Sequence, residues 1–255
     1  MATALVTGAS AGLGEEFAWQ LATAGHDLVV VARSRDRLSE LADVVASATG
    51  VSVEVLAADL SRPDGREQVA ERLTDATRPV SLLVNNAGFS SGLSFVESPW
   101  EEEAAMHDVL VTAPLRLTHA ALPGMIQRGH GAVLNVASIA AHLGDSTYAA
   151  HKRWLVEFTN AIAGQLQGTG VTATVVLPGM TRTEFHSKPT LEHYREELPE
   201  FAWLSAEQVV SSALTAVRRG SVTVTPSVRY ATAGALVRLT PKAVTRRMGS
   251  MGSRR

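Results

Sequence analysis

The chain has 255 residues, 45% of them hydrophobic and 19% charged, with a net charge of −2. That length and apolar content suffice for one α/β core without staples. With no cysteine, disulfides, thiol catalysis and cysteine–metal sites are excluded, and the near-balanced charge gives no reason to expect nucleic acid.

The first apolar run, 3–7, starts so close to Met1 that no signal peptide is expected ahead of it. No uninterrupted apolar stretch approaches the ~20 residues of a membrane span, and a cytoplasmic protein is expected. Short β-branched runs follow at 27–32, 51–56, 81–84, 131–136, 171–177 and 222–225. Between them lie amphipathic stretches near 13–24, 35–48, 62–76, 103–128, 146–167 and 206–218. Strands alternating with crossovers of this length predict a Rossmann-type doubly wound parallel sheet of about seven strands, with helices on both faces. The whole of 1–255 reads as one dinucleotide-binding and catalytic domain, without repeats or linker.

The first strand runs into Thr7-Gly8-Ala9-Ser10-Ala11-Gly12-Leu13-Gly14, and a helical pattern follows at once. Glycines let a backbone approach a phosphate closely, and a helix N-terminus offers free N–H groups and partial positive charge to a pyrophosphate. The second strand ends Val31-Ala32-Arg33-Ser34-Arg35. A site for NAD places a carboxylate there against the ribose 2′-hydroxyl, whereas an arginine accommodates a 2′-phosphate. Ala32 stands where the acid belongs and Arg33 follows, so NADPH (NADP+) is the expected cofactor, with Ser10 and Arg35 as helpers.

Tyr148 and Lys152 are four residues apart, on one face of a predicted helix. A free phenol titrates near ~10. An ammonium ~4 Å away at an effective dielectric of ~20 would lower that by about three pK units. The expectation is a phenol near neutrality, suited to general acid–base work. Ser138, just beyond the strand 131–136, is the third candidate.

The glycine loop, Asp59-Leu60, Asn85-Asn86-Ala87-Gly88, Ser138, Tyr148 with Lys152, and Pro178-Gly179 followed by Thr183 occur in one characteristic order. The chain thereby resembles the compact single-domain branch of the short-chain dehydrogenase/reductase family, from its start to about residue 185. That resemblance implies carbonyl–alcohol interconversion by hydride transfer, Tyr148 supplying the proton and Ser138 binding the substrate oxygen. It implies that Lys152 lowers the phenol's pKa and binds the nicotinamide ribose. Gly8, Ser10, Ala11, Gly12, Leu13 and Gly14 would hold the pyrophosphate; Asp59 and Leu60 the adenine; Asn86, Ala87 and Gly88 the adenosine ribose; Pro178, Gly179, Thr181 and Thr183 the nicotinamide. It further implies a homodimer or homotetramer built on the stretches 103–128 and 146–167.

In one place the chain departs from the family pattern. Leu110 stands where relatives carry an asparagine that helps hold a water linking the lysine to solvent. That keeps open a second reading, a non-catalytic NADPH-binding sensor or regulatory protein. The interval from Ser138 to Tyr148 is also short, so the loop 139–147 is trimmed. Leu191, Tyr194, Leu198 and Phe201, with Phe89, Phe95, Leu143 and Met180, read either as an apolar pocket under a lid at about 180–205 or as packing of that segment. The pocket reading fits a hydrophobic ketone, β-ketoacyl thioester or steroid-like alcohol, within an expected reaction that interconverts a ketone or aldehyde and an alcohol. No metal site is expected, since His142, His186 and His193 lack ligand spacing. After Glu207 every charged residue is basic. The tail of about 226–255 reads either as solvated or as a peripheral contact for anionic lipid or an anionic substrate group.

Overall fold

The computed structural model describes residues 2–143, 146–183, 203–227 and 229–232. Seven strands form one sheet: β1 (Thr3–Thr7), β2 (Asp27–Ala32), β3 (Val53–Ala57), β4 (Val80–Asn85), β5 (Gly131–Val136), β6 (Val171–Val176) and β7 (Thr223–Val224). Their order is β3-β2-β1-β4-β5-β6-β7, and every pairing is parallel. All seven expected strands are present, displaced at their ends by at most two residues.

Strand residues alternate between two helical layers because successive side chains point to opposite faces. Ala4, Val6, Val30, Val84, Leu134 and Val176 join one buried cluster. It is closed by Phe17 and Leu21 of α1 (Gly12–Thr23), Leu38 and Val45 of α2 (Arg35–Thr49), and Val209 and Val210 of α7 (Ala206–Arg218). Leu5, Val29, Val31, Leu83 and Val133 face the other way. There they meet Val69 and Leu73 of α3 (Pro63–Thr74), Leu117 and Met125 of α5 (Ala113–Arg128), and Ile162 of α6 (Thr147–Gln165). A strand buried on both faces needs near-continuous apolar sequence, which explains why the runs showed so clearly.

The stretch expected as one helix over 103–128 is composite. α4 spans Trp100–His107, a wider π turn spans Asp108–Thr112, and α5 continues from Ala113. Pro114 gives the reason. It has no N–H for the carbonyl of Leu110, four residues earlier, and its ring would clash there. The turn widens instead, and the Ala113 N–H reaches back to the carbonyl of Asp108. The run Trp100–Arg128 is long and apolar enough to cross a membrane by length and composition alone. Met106, Leu110, Leu117 and Met125 along it are fully buried, so it serves here as a core helix.

Candidate active site

The order of the strands reverses direction between β1 and β4, and in open parallel sheets ligands bind beyond the carboxyl ends at such a point. The loops after β1, β4, β5 and β6 carry the candidate residues to this edge.

The glycine loop is fitted tightly to the end of β4. A Cβ at Gly14 would lie 2.0 Å from the Gly8 carbonyl oxygen and 2.6 Å from Asn86 Nδ2. One at Gly8, which has φ +67°, would lie 2.9 Å from Ala87 Cα. Neither position tolerates a side chain. Asn86 donates its amide to the carbonyls of Thr7 (2.9 Å) and Gly8 (3.3 Å). The hydroxyl of Thr7 accepts the N–H groups of both Asn86 and Ala87 at 3.0 Å. The Asn86 side chain thus holds the loop in shape. Thr7, whose hydroxyl ties β1 to β4, is a positioning residue the sequence did not single out.

The loop fits a dinucleotide. Ala11 precedes α1 and no side chain caps the helix, so its first N–H groups face outward for an anion. Ser10, Ala11 and Gly12 are partly accessible, and Gly12 faces Thr183, which brings that threonine to the phosphate loop. Leu13 is partly buried and packs against the first core cluster. When bound, a nicotinamide dinucleotide would supply or accept the hydride.

At the end of β3, Asp59 is half-buried and accepts the Ser61 amide and hydroxyl at 3.0 and 2.7 Å. Burial pushes its carboxyl up, but those bonds, with Arg33 and Arg62 nearby, outweigh it and hold the group below its ordinary value. Leu60 is buried in the second core cluster. Arg33 and Arg35 are exposed on the rim.

Ser138, Tyr148 and Lys152 converge. Ser138 starts a short 3-10 turn, Ile139–His142, accepting the Ala140 N–H at 3.2 Å, and is hydrogen-bonded to Tyr148. Ser146 caps α6 by accepting the Ala149 N–H, placing Tyr148 in the first turn and Lys152 one turn deeper. Lys152 is buried, donates to the Val136 carbonyl at 2.7 Å, and holds Nζ 5.8 Å from the centre of the Tyr148 ring.

The electrostatics correct the expected near-neutral phenol. Burial pushes Tyr148 up to about 12, the bond with Ser138 pulling the other way. Burial also pulls Lys152 down to about 8. Burial thus disfavours the charged form of both groups. Tyr148 is therefore held in its acid form.

Leu110 lies inside the π turn and is buried. A Cβ at Gly88 would meet Leu110 Cδ2 at 2.9 Å and Lys152 Nζ at 3.5 Å. The leucine thus packs beside Gly88, at the spot the lysine head also borders.

After β6, Pro178 and Thr181 are buried, and the Thr181 hydroxyl donates to the Gly179 carbonyl at 3.0 Å, shaping the loop from within. Thr181 also pairs with Leu204 in an isolated bridge. Gly179 is covered by the Tyr230 ring, 2.2 Å from where a Cβ would be, and the Tyr230 hydroxyl accepts the Met180 N–H at 3.3 Å. Tyr230 lies in the segment read as a basic tail, and no sequence signal pointed to this contact.

Of the apolar candidates, Phe89 packs against the second core cluster, while Phe95 and Leu143 are exposed. Leu191, Tyr194, Leu198, Phe201, His186 and His193, most of the lid at 180–205, and the tail beyond 232 lie outside the described residues. A hollow of about 850 Å³ runs along α7 and β7, past Ser212, Thr215 and Ser221. It borders none of Ser138, Tyr148 and Lys152, and a group that can protonate a carbonyl is what the site requires.

The profile of the short chain dehydrogenase family matches residues 2–193. A short chain dehydrogenase of Pseudocercospora fijiensis is 34% identical over 187 residues, covering 71% of this chain and 60% of that relative's length. Among solved structures, a short-chain dehydrogenase from Sphingobium yanoikuyae in complex with NADPH has 32% identity and a TM-score of 0.85, covering 100% of this chain and 97% of the other. A bulky-bulky ketone specific alcohol dehydrogenase from Comamonas testosteroni has 29% identity and a TM-score of 0.81, covering 100% and 95%.

Proposed function

The chain belongs to the short-chain dehydrogenase/reductase family, and from that premise we propose that it is an NADPH-dependent reductase of hydrophobic ketones or aldehydes, with Tyr148 as the acid. The convergence of Ser138, Tyr148 and Lys152 at the edge beside the glycine loop carries this reading. Ser138 binds the carbonyl oxygen of the substrate, and Tyr148 gives that oxygen a proton as negative charge develops on it. Lys152 orients the nicotinamide ribose, and its charge at neutral pH steadies the phenolate left after transfer.

NADPH is favoured by Arg33 at the end of β2, by the absence of an acid at Ala32, and by the NADPH complex among the structural neighbours. A bulky apolar substrate is favoured by the ketone specificity of the Comamonas relative and by the accessible Phe95 and Leu143. All of 1–255 forms one catalytic domain in this reading, and the unit is a homodimer or homotetramer joined through the α4–α5 and α6 surfaces.

The test is an NADPH-oxidation screen against a panel of ketones and aldehydes, run beside Tyr148→Phe. Turnover by the parent and its loss in the variant, with NADPH binding kept, is expected. Because the phenol stays protonated to about pH 12, reduction should not decline through its ionisation in the neutral range, and alcohol oxidation should climb with pH. Substantial reduction by the phenylalanine variant would remove Tyr148 from the role. Leu110 motivates a second reading, an NADPH-binding sensor, which predicts tight NADPH binding with no turnover in either form.

A further inference from the structure

Titratable side chains with no part in the reaction above gather beside Lys152. His151 precedes it on α6, and His151 Nε2 lies 3.3 Å from Nδ1 of His107 on α4. The two rings meet edge to face, 5.2 Å between centres and 67° between planes. His107 is exposed and His151 half-buried. The inner nitrogen, His151 Nδ1, is buried and has no hydrogen-bond partner among the described residues. Glu103, one turn ahead of His107, is 6% exposed, and its Oε1 is likewise unpartnered.

The placement follows from helical spacing. Glu103, His107 and Leu110 fall at i, i+4 and i+7, so they form one stripe along α4 into the π turn. At the lower end of the stripe Leu110 borders the Lys152 head beside Gly88, and one turn higher His107 meets His151. The leucine offers Lys152 no hydrogen bond, where the family resemblance implies an amide. One turn from the leucine on the same stripe stands His107, with His151 of α6 against it.

We propose that His107 and His151 form a proton conduit between solvent and the Tyr148–Lys152 pair; this rests on the reading of Tyr148 as the acid. Each reduction moves one proton from the phenol to the nascent alcohol, so one proton must return. His107 takes a proton from water at Nε2 and gives the one on Nδ1 to His151 Nε2. His151 then releases the proton on Nδ1 inward, through water, to Lys152 or Tyr148. One proton enters and one leaves, and no electrons move. Both rings regain their starting tautomers by exchange or rotation.

The groups acting on His151 fit a carrier. Burial lowers its affinity for protons, His107 and Lys152 lower it further, and Glu103 opposes them. His151 therefore holds a proton less tightly than an ordinary imidazole, and its ring can accept a proton at one nitrogen while giving one from the other. Glu103 and His107 on α4, and Lys152 on its own helix, are the charged or titratable groups that bear on it among the described residues.

The test uses the full chain with NADPH and any carbonyl it reduces, comparing His151→Gln and His107→Ala with the parent. Glutamine keeps a hydrogen-bonding side chain but carries no proton at neutral pH. The expectation is a fall in kcat of about tenfold, less than the ~10²–10⁴ of a group that exchanges protons with the substrate itself, with KM for NADPH and melting temperature unchanged. The solvent deuterium effect on kcat should grow, and added imidazole should restore His107→Ala. Parent-like kcat, pH profile and isotope effect in both variants would overturn the conduit while Tyr148→Phe remains inactive. Loss of activity matched by loss of melting temperature, without imidazole rescue, would also overturn it, by making the pair structural. Retained turnover in Tyr148→Phe would instead sink the reading of the acid.

Discussion

Replacing Leu110 by asparagine introduces the residue that the family resemblance implies, in a setting built for leucine. The side chain is 1% exposed and packs beside Gly88 and the Lys152 head. Losing the burial of a leucine costs ~1.5–3 kcal/mol. A buried amide that satisfies only part of its hydrogen bonds costs a further ~1–3 kcal/mol. The two side chains are similar in size, so no large cavity adds to this. The new carbonyl oxygen can accept from Lys152 Nζ, which recovers part of the loss. A net destabilisation of about 3 kcal/mol results. At about 2–4 °C per kcal/mol for a chain of this size, that is a fall of about 6–12 °C in Tm. Thermal melts, NADPH titration and steady-state reduction on the same preparations measure it. We expect the lower Tm, unchanged NADPH affinity and no gain in kcat, because protons return through the histidine pair. An unchanged Tm with a severalfold rise in kcat would refute both the packing reasoning and the histidine route.

Other outcomes follow from single contacts. Arg33→Ala should erase most of a preference for NADPH over NADH, since a charge-assisted contact of ~1.5–3 kcal/mol is roughly ten- to a hundredfold in affinity; equal affinities in the parent would remove the arginine from that role. Lys152→Met should stop turnover without lowering Tm at neutral pH. The folded lysine releases its proton at about 8 against an ordinary 10.5, so the unfolded chain binds more protons in between and stability rises with pH across that window. That rise should be missing from the methionine variant, and a lower Tm at pH 7 would mean that the bond to the Val136 carbonyl outweighs the burial of charge. Light scattering should find a dimer or tetramer at micromolar concentration, with the exposed Leu115 and Ile126 of α5 covered; a monomer alone would refute this.

The sequence by itself determined the strands, the layers and the edge where chemistry gathers. Strands buried on both faces must be apolar throughout, and the turns leaving them must carry glycine where backbones touch, as Gly8 and Gly14 do. Both demands are local and leave a readable pattern. The spacing of Tyr148 and Lys152 was legible for the same reason, since one helical turn fixes it. Their electrostatics were not. The expected lowering of the phenol assumed a charged lysine in a polar setting, but burial of both groups reversed the outcome, and burial is a property of what surrounds a helix. The pairing of His107 with His151, 44 positions apart, and the seating of Tyr230 on Gly179 were equally invisible, because only packing brings such residues together. Leu110 shows both sides: the sequence revealed the departure, while the wide turn imposed by Pro114 and the contact with Gly88 decided what the leucine does there.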